Sequence, residues 1–395
     1  MADKGRSALE KLLAVSPGME VWWDASPLVF EKWADTFLAK QTPEVREWLE
    51  PQVRRLFVKD DPTKSLFKGV TTNPVITKAG IDTLPEVWHP WIEEEIKKHP
   101  NLSAPEITWR TYREASKLGA ELYMPIFEES GYKYGYVSAQ VDPRVLDDTR
   151  KMVEQGLGLK TLSPNIMVKV PGTQAGVHAI FLLTAMGVPT NATLVFTVPQ
   201  ILAIAEAVKR GKEVGEYYGT DYSQWRSVIT IMMARFEERE VMAEQAKEQG
   251  FELTEDLMRW SGTAIMKKGY HLLREREYPS KLLLASSRVG PGKDQIRHLA
   301  ETAGADLVYT MNPSFVESVL LVYADIEEFK PRIDKPVPSD VMEKLLSLPY
   351  FRQGYDENGL KQEEYLEHPG TIFTRNEFSK AMNAFEEFVA EMKAK

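Results

Sequence analysis

Short apolar runs alternate with longer helical patterns along most of the chain, and this alternation limits the fold more than any other feature. Eight runs read as strands: Val21 to Asp24, Gly69 to Thr72, Gly135 to Val141, Asn165 to Val170, Thr193 to Thr197, Val228 to Met233, Lys281 to Ser286 and Asp306 to Met311. They are nearly continuous in apolar residues, as strands covered on both faces are. Asp142 before Pro143 predicts a helix that stops by Gly156, Thr173 caps another expected to end at Gly187, and a third is expected from near Pro199 to Gly211. Strands each followed by helix imply an α/β fold with a parallel sheet. The expectation is a (β/α)8 TIM barrel, with an open doubly wound sheet as the alternative.

The barrel is expected over residues 1–324, with helical insertions at 25–68, 74–134 and 236–280. Residues 325–395 follow the last strand as a helical extension packed on the barrel. Within it Lys330 to Pro338 reads as a linker and Asn376 to Lys393 as an amphipathic terminal helix. No internal repeat or catalytic signature marks these parts, so packing, oligomer contacts or a lid are their expected roles.

With 395 residues and 43% hydrophobic content, the chain can build a sizeable core. The net charge of -9 argues against a general nucleic-acid surface, although a local cationic pocket would be hidden in that sum. The absence of cysteine excludes disulfides, thiolate nucleophiles and cysteine-ligated metals, and fits a cytoplasmic protein. Met1 to Arg6 leads into an amphipathic stretch rather than a signal segment. No apolar run approaches the ~18 residues of a membrane span, so no membrane association is expected.

One strand carries a residue that does not suit it. In Ile166-Met167-Val168-Lys169-Val170-Pro171-Gly172-Thr173 a lysine stands inside an apolar run. Burying an ammonium is costly, and such a site favours the neutral amine, the form that makes Schiff bases with carbonyls. A rim lysine reaching solvent is the ordinary alternative. In a barrel, catalytic groups gather at the carboxyl ends of the strands, and the candidate strands end in polar residues. Alternation along the strands places Lys169 with Met167, Asp24 with Trp22, Gln140 with Ser138 and Ser286 with Leu284. One set of inward faces would bring Asp24, Asn73, Gln140, Lys169 and Thr193 to a single pocket.

The blocks Gly69-Val70-Thr71-Thr72-Asn73-Pro74, Val168 to Thr173, Asn191-Ala192-Thr193-Leu194-Val195-Phe196 and Ala285-Ser286-Ser287-Arg288 resemble the signature blocks of the transaldolase family, which includes fructose-6-phosphate aldolases. They occur in the family's order, and the similarity runs from about Val21 to Pro313. The resemblance implies a class I aldolase with Lys169 as the Schiff-base lysine and no metal or organic cofactor. Asp24 then matches the carboxylate that assists C–C cleavage and formation, whereas a helix cap is its structural alternative. Asn73 and Asn191 match substrate-holding amides, Thr193 matches the residue that orients the catalytic water, and Thr71 and Thr230 join the substrate-binding set. Arg235 and Arg288, with the Ser286 hydroxyl, match the positions that bind the substrate phosphate, for which paired guanidinium forks are suited. Phosphorylated sugars are the implied partners, and a homo-oligomer is allowed. The segment Val289-Gly290-Pro291-Gly292-Lys293 lacks the spacing of a nucleotide-binding loop, and its proline removes a needed N–H.

Two positions depart from the family pattern. Gln140 stands where transaldolases have a glutamate that works through water, and fructose-6-phosphate aldolases resemble this chain there. Those aldolases pair the glutamine with a tyrosine at the position of Met232, which has no hydroxyl. Tyr136 and Tyr309 are strand tyrosines considered as substitutes. The expected activity is transfer of a dihydroxyacetone unit between sugar phosphates, as in pentose phosphate chemistry. Cleavage or synthesis with free dihydroxyacetone, or sugar-phosphate binding with weak catalysis, are the alternatives.

Overall fold

A computed structural model describes residues 5–290 and 295–394. The segment Val289 to Lys293 lies partly outside these described residues, as do residues 1–4 of the amino terminus. The eight parallel strands close into one barrel in sequence order. They are β1 (Glu20–Trp23), β2 (Phe67–Val70), β3 (Tyr136–Gln140), β4 (Ile166–Pro171), β5 (Thr190–Val195), β6 (Ser227–Met232), β7 (Lys281–Ala285) and β8 (Val308–Met311).

Alternation along the strands sorts the core into two layers. Trp22, Tyr136, Met167, Val228, Leu283 and Val308 pack together inside the barrel. Their neighbours in sequence, among them Val21, Trp23, Val137, Val168, Ile229 and Leu284, belong to the larger layer between strands and helices. Trp22 explains the glycine of β2, because a Cβ on Gly69 would lie 2.5 Å from its ring. Full burial of each large apolar side chain contributes roughly 1.5–3 kcal/mol.

The amino-terminal end of the barrel is closed by charge. Glu20 is 3% exposed. It accepts from Arg226 at 2.5 and 2.9 Å, from Lys281 at 3.0 Å and from the Trp22 indole at 3.1 Å. Burial opposes ionisation of Glu20, yet the two cations win and hold its carboxyl below the usual range.

Several boundaries differ from the sequence expectation. β5 begins at Thr190 rather than Thr193, because Thr190 to Ala192 already pair with Val168 to Val170, and its register shifts between Ala192 and Val195, where Leu194 adopts a left-handed φ of 53°. Asp142 opens a turn in which its carboxylate accepts from the Arg144 backbone at 2.9 Å. The helix itself starts later, at Thr149, capped by Asp148, and continues to Lys160. Gly156 and Gly211 read as stops but are packing positions. A Cβ would meet Val168 at 3.0 Å in the first case and the Phe181 carbonyl at 2.6 Å in the second, and the Gly211 helix runs from Val198 to Tyr217.

The insertions are helical, and no helix among the described residues is long and apolar enough to cross a membrane. The helical carboxy-terminal extension ends in one long helix, Pro369–Lys393, which starts before the expected Asn376. This terminal helix packs on the helices Pro74–Thr83 and Ala104–Glu129, on Met233–Glu237 and on β5, so it lies across the strand-end face.

Replacing Glu20 with alanine takes from the largely buried Arg226 its carboxylate, while Lys281 keeps Asp306 at 2.7 Å, and is expected to lower the unfolding free energy by about 3–5 kcal/mol. Urea unfolding checks this, with Glu86→Ala as control. Glu86 only meets Lys32 at 3.8 Å, with its side chain 61% exposed, and its loss should cost under about 1 kcal/mol. Equal midpoint shifts for the two variants would refute the assignment.

Candidate active site

At the carboxyl ends of the strands a cavity of about 180 Å³ is lined by Asp24, Asn73, Lys169, Thr193 and Thr230, together with Arg235, Ser286 and Arg288. Eight of the eleven residues singled out in the sequence thus share one surface. Thr71, Gln140 and Asn191 do not line it; all three are buried in the wall behind.

That wall is a hydrogen-bonded layer just below the cavity. Thr71 Oγ1 lies 2.6 Å from Asp24 Oδ1 and 2.5 Å from Thr310 Oγ1. A hydroxyl has one proton, so Thr71 gives its own to the carboxylate and receives that of Thr310. Asn191 donates to Ser138 Oγ at 2.9 Å and accepts from Thr230 at 2.6 Å. Asn191 therefore ties β3, β5 and β6 together beneath Lys169, whose register partners are Gln140 and Asn191.

Lys169 is 4% exposed, and its Nζ donates to the Thr72 carbonyl at 3.1 Å. Burial pulls its ammonium down to about 8, against the opposing charge of Asp24. Burial also raises the Asp24 carboxyl above its ordinary value, opposed by Lys169, the Thr71 hydrogen bond and Arg235. Asp24 caps no helix: the short 3-10 turn that follows has Ser26 at its cap position. Asn73, by contrast, does cap a helix, accepting from Ile76 N at 2.9 Å. This occupies its oxygen and leaves its NH₂ for the cavity.

The remaining polar groups fall into place less simply. Thr193 Oγ1 lies 3.9 Å from the Met232 sulfur. Gln140 Oε1 is buried with no hydrogen-bond partner among the described residues, and its backbone N–H donates to the hydroxyl of Tyr112 at 2.7 Å. Tyr136 and Tyr309 are turned away. The Tyr136 hydroxyl lies 3.0 Å from the carbonyls of Tyr132 and Gln224, and that of Tyr309 donates to Ser287 at 2.9 Å. Neither lines the cavity.

Strand alternation puts Leu284 of β7 in the outer layer, so Ser286 would point outward too. A left-handed φ of 57° at Ser286 instead turns it to the cavity. Arg288 is held by its backbone and by its side chain. Its N–H donates to His298 Nδ1 at 3.0 Å, so the ring proton sits on Nε2 and is given to Glu237 at 2.7 Å. Glu237 also accepts from Arg259 at 2.7 Å. The Arg288 guanidinium meets Glu238 at 3.1 and 3.3 Å. Arg235 pairs with Glu377 of the terminal helix and stacks on Phe373 at 5.1 Å.

Several lining residues carry no mark in the strand-end reading, Val75, Ile76, Glu377 and Phe378, and Asn312 is there only as the polar end of the eighth strand, with no site role. Asn312 had a signal, since Asn312-Pro313 after β8 repeats Asn73-Pro74 after β2, and Asn312 likewise caps its helix at 2.9 Å from Phe315 N. Glu377 and Phe378 come from the far end of the chain, where no local pattern points to the cavity.

A family profile described as Transaldolase/Fructose-6-phosphate aldolase matches residues 54–364. The chain belongs to this family. It is similar to a transaldolase of Thiobacillus denitrificans, 33% identical over 175 residues, covering 42% of this chain and 46% of that protein. Transaldolases of Mycobacterium ulcerans and Mycobacterium tuberculosis are 31% and 30% identical over 175 residues, each match covering 44% of this chain and 46% of the relative. The matched part thus spans about half the length of these curated relatives. The transaldolase/aldolase membership and the barrel agree, and the family is one of sugar-phosphate enzymes.

The electrostatic coupling of Lys169 to Asp24 can be measured. Removing the carboxylate in Asp24→Asn withdraws a charge that favours the ammonium, so the pKa of Lys169 should fall by about one unit. The pH dependence of Lys169 acetylation, read by mass spectrometry, should shift to lower pH; an unchanged or higher midpoint would count against the coupling.

Proposed function

We propose that this chain is a Schiff-base enzyme that transfers a dihydroxyacetone unit between phosphorylated sugars. The observation that carries the reading is a buried lysine with a lowered pKa, facing a carboxylate with a raised one, in a cavity rimmed by two arginines.

In this reading the neutral Lys169 amine attacks the C2 carbonyl of a ketose phosphate, and loss of water gives an iminium ion. Asp24 takes the proton of the C4 hydroxyl as the C3–C4 bond breaks. The bonding electrons pass to the iminium nitrogen as an enamine, and an aldose phosphate leaves. The enamine then attacks the acceptor aldehyde, Asp24 returns its proton to the new hydroxyl, and hydrolysis frees Lys169. Thr71 keeps the carboxylate aimed, Asn73 positions hydroxyls, Asn191 braces the strands on either side of Lys169 from behind, and Thr193, with Gln140 in the wall, holds the water of the carbinolamine step. Arg235, Arg288 and Ser286 receive the phosphate.

A second reading is favoured by Gln140. An amide orients water but exchanges no proton at neutral pH, and this glutamine suits cleavage or synthesis with free dihydroxyacetone. Product formation with and without an acceptor aldose phosphate separates the two: strict dependence on acceptor supports transfer, and release of free dihydroxyacetone supports the aldolase.

Cyanoborohydride with fructose 6-phosphate should leave a reduced adduct on Lys169, and Lys169→Ala should abolish it together with turnover. An adduct elsewhere, or none under turnover conditions, would sink the mechanism. The trapping rate should be level above pH about 8, where the amine is neutral. Below that it should fall roughly tenfold per pH unit as the amine protonates. Asp24→Asn should retain the adduct while slowing turnover by about 10²- to 10⁴-fold. Gln140→Glu should speed turnover if proton exchange through water limits it.

A further inference from the structure

We infer that Glu377, carried by the terminal helix, sets how strongly the cavity prefers a phosphorylated substrate, by competing with the phosphate for Arg235. The inference rests on the proposed reading of Arg235 and Arg288 as the phosphate clamp.

Both arginines already hold carboxylates, and the two carboxylates are not equivalent. Glu238 faces Arg288 at 3.1 Å and also Arg259 at 3.1 Å, so it keeps a cation when Arg288 turns to a ligand. Glu377 is ion-paired with Arg235 alone among the described residues, and 42% of its side chain is exposed. It loses its partner when a phosphate takes the guanidinium, and solvent can receive it. Glu377 is therefore the group that yields.

Arg235 does not depend on Glu377 for its place. Its guanidinium stacks 5.1 Å from the Phe373 ring, and only 15% of its side chain is exposed. Arg239 lies 4.0 Å over the same ring and has no carboxylate at ion-pair distance among the described residues. Two cations thus share one aromatic ring, and Glu377 is the carboxylate ion-paired with the one that lines the cavity. Phe378, the next residue, forms part of the cavity wall, which fixes the terminal helix beside the clamp. A phosphate monoester entering this corner meets the like charge of Glu377 at the cation it needs. An uncharged ketose meets no such competition.

The test compares full-length Glu377→Gln with the unaltered protein. Measured quantities are the ratio of kcat/KM for fructose 6-phosphate over fructose, and the inhibition constant of inorganic phosphate. The amide keeps the side chain's shape and removes its charge. The ratio should rise about two- to fivefold and the inhibition constant fall by a similar factor, as for a half-exposed ion pair. Both effects should shrink as salt rises from 0.05 to about 0.5 M. Unchanged or opposite values would overturn the inference, because Glu377 would then be idle or would hold Arg235 in position. Arg235→Ala tests the underlying reading separately. It should raise the phosphate inhibition constant, and if it does not, the clamp itself is refuted. A response of Arg235→Ala without one of Glu377→Gln refutes the competition alone.

Discussion

The strand-end face depends on one costly burial, that of the Lys169 amine inside the barrel. Burial disfavours both the ammonium and the Asp24 carboxylate, and each charge partly rescues the other. The result is a pair in which burial moves the amine towards neutrality and the carboxyl towards protonation. The layer beneath keeps this pair in register. Thr310 gives a proton to Thr71, Thr71 to Asp24, Thr230 to Asn191, and Asn191 to Ser138. With their protons directed in this way, these groups hold fixed orientations, and the polar layer stiffens the site it supports.

A second balance operates beside β6 and β7. Arg235, Arg239, Arg259 and Arg288 crowd into one corner, where alone they would repel one another. Glu237 ends the short helix after β6 and Glu238 comes next, and Glu377 arrives from the terminal helix. His298 joins the turn after β7 to Glu237, which connects the main chain of Arg288 to the helix that carries Arg235. The corner is thus cationic in residue type and nearly neutral in sum. An acidic protein can in this way present guanidinium forks to an anion without an extended basic surface.

The barrel and most of the site were legible because both follow from short-range rules. Eight apolar runs spaced by helices leave few other topologies, and polar residues at strand ends converge once the barrel closes. Illegible features arise from contacts distant in sequence or from unusual backbone. Gly156 and Gly211 look like helix stops because glycine punctuates chains, whereas here it admits a neighbouring strand or helix. Ser286 reaches the cavity only through a positive φ that alternation cannot anticipate. Asp142 carries the signs of a cap, yet Arg144 engages its carboxylate first. Glu377 and Phe378 are ordinary amphipathic-helix residues until the helix is laid across the strand ends.

The geometry also narrows how protons move around Lys169. Met232 offers a thioether near Thr193, Gln140 an amide, and Tyr136 and Tyr309 bond elsewhere. Tyr112 stands behind Gln140, where burial raises its phenol far above neutrality and suits it to hold the Gln140 backbone rather than to exchange protons. Of the carboxylates lining the cavity, Glu377 is committed to Arg235, whereas Asp24 interacts electrostatically with Lys169 and has its pKa raised. On the proposed reading, Asp24 then serves both proton transfers, at the carbinolamine and at the C4 oxygen. A carboxyl with a raised pKa is suited to that double duty, and the burial that lowers the pKa of Lys169 also raises that of Asp24.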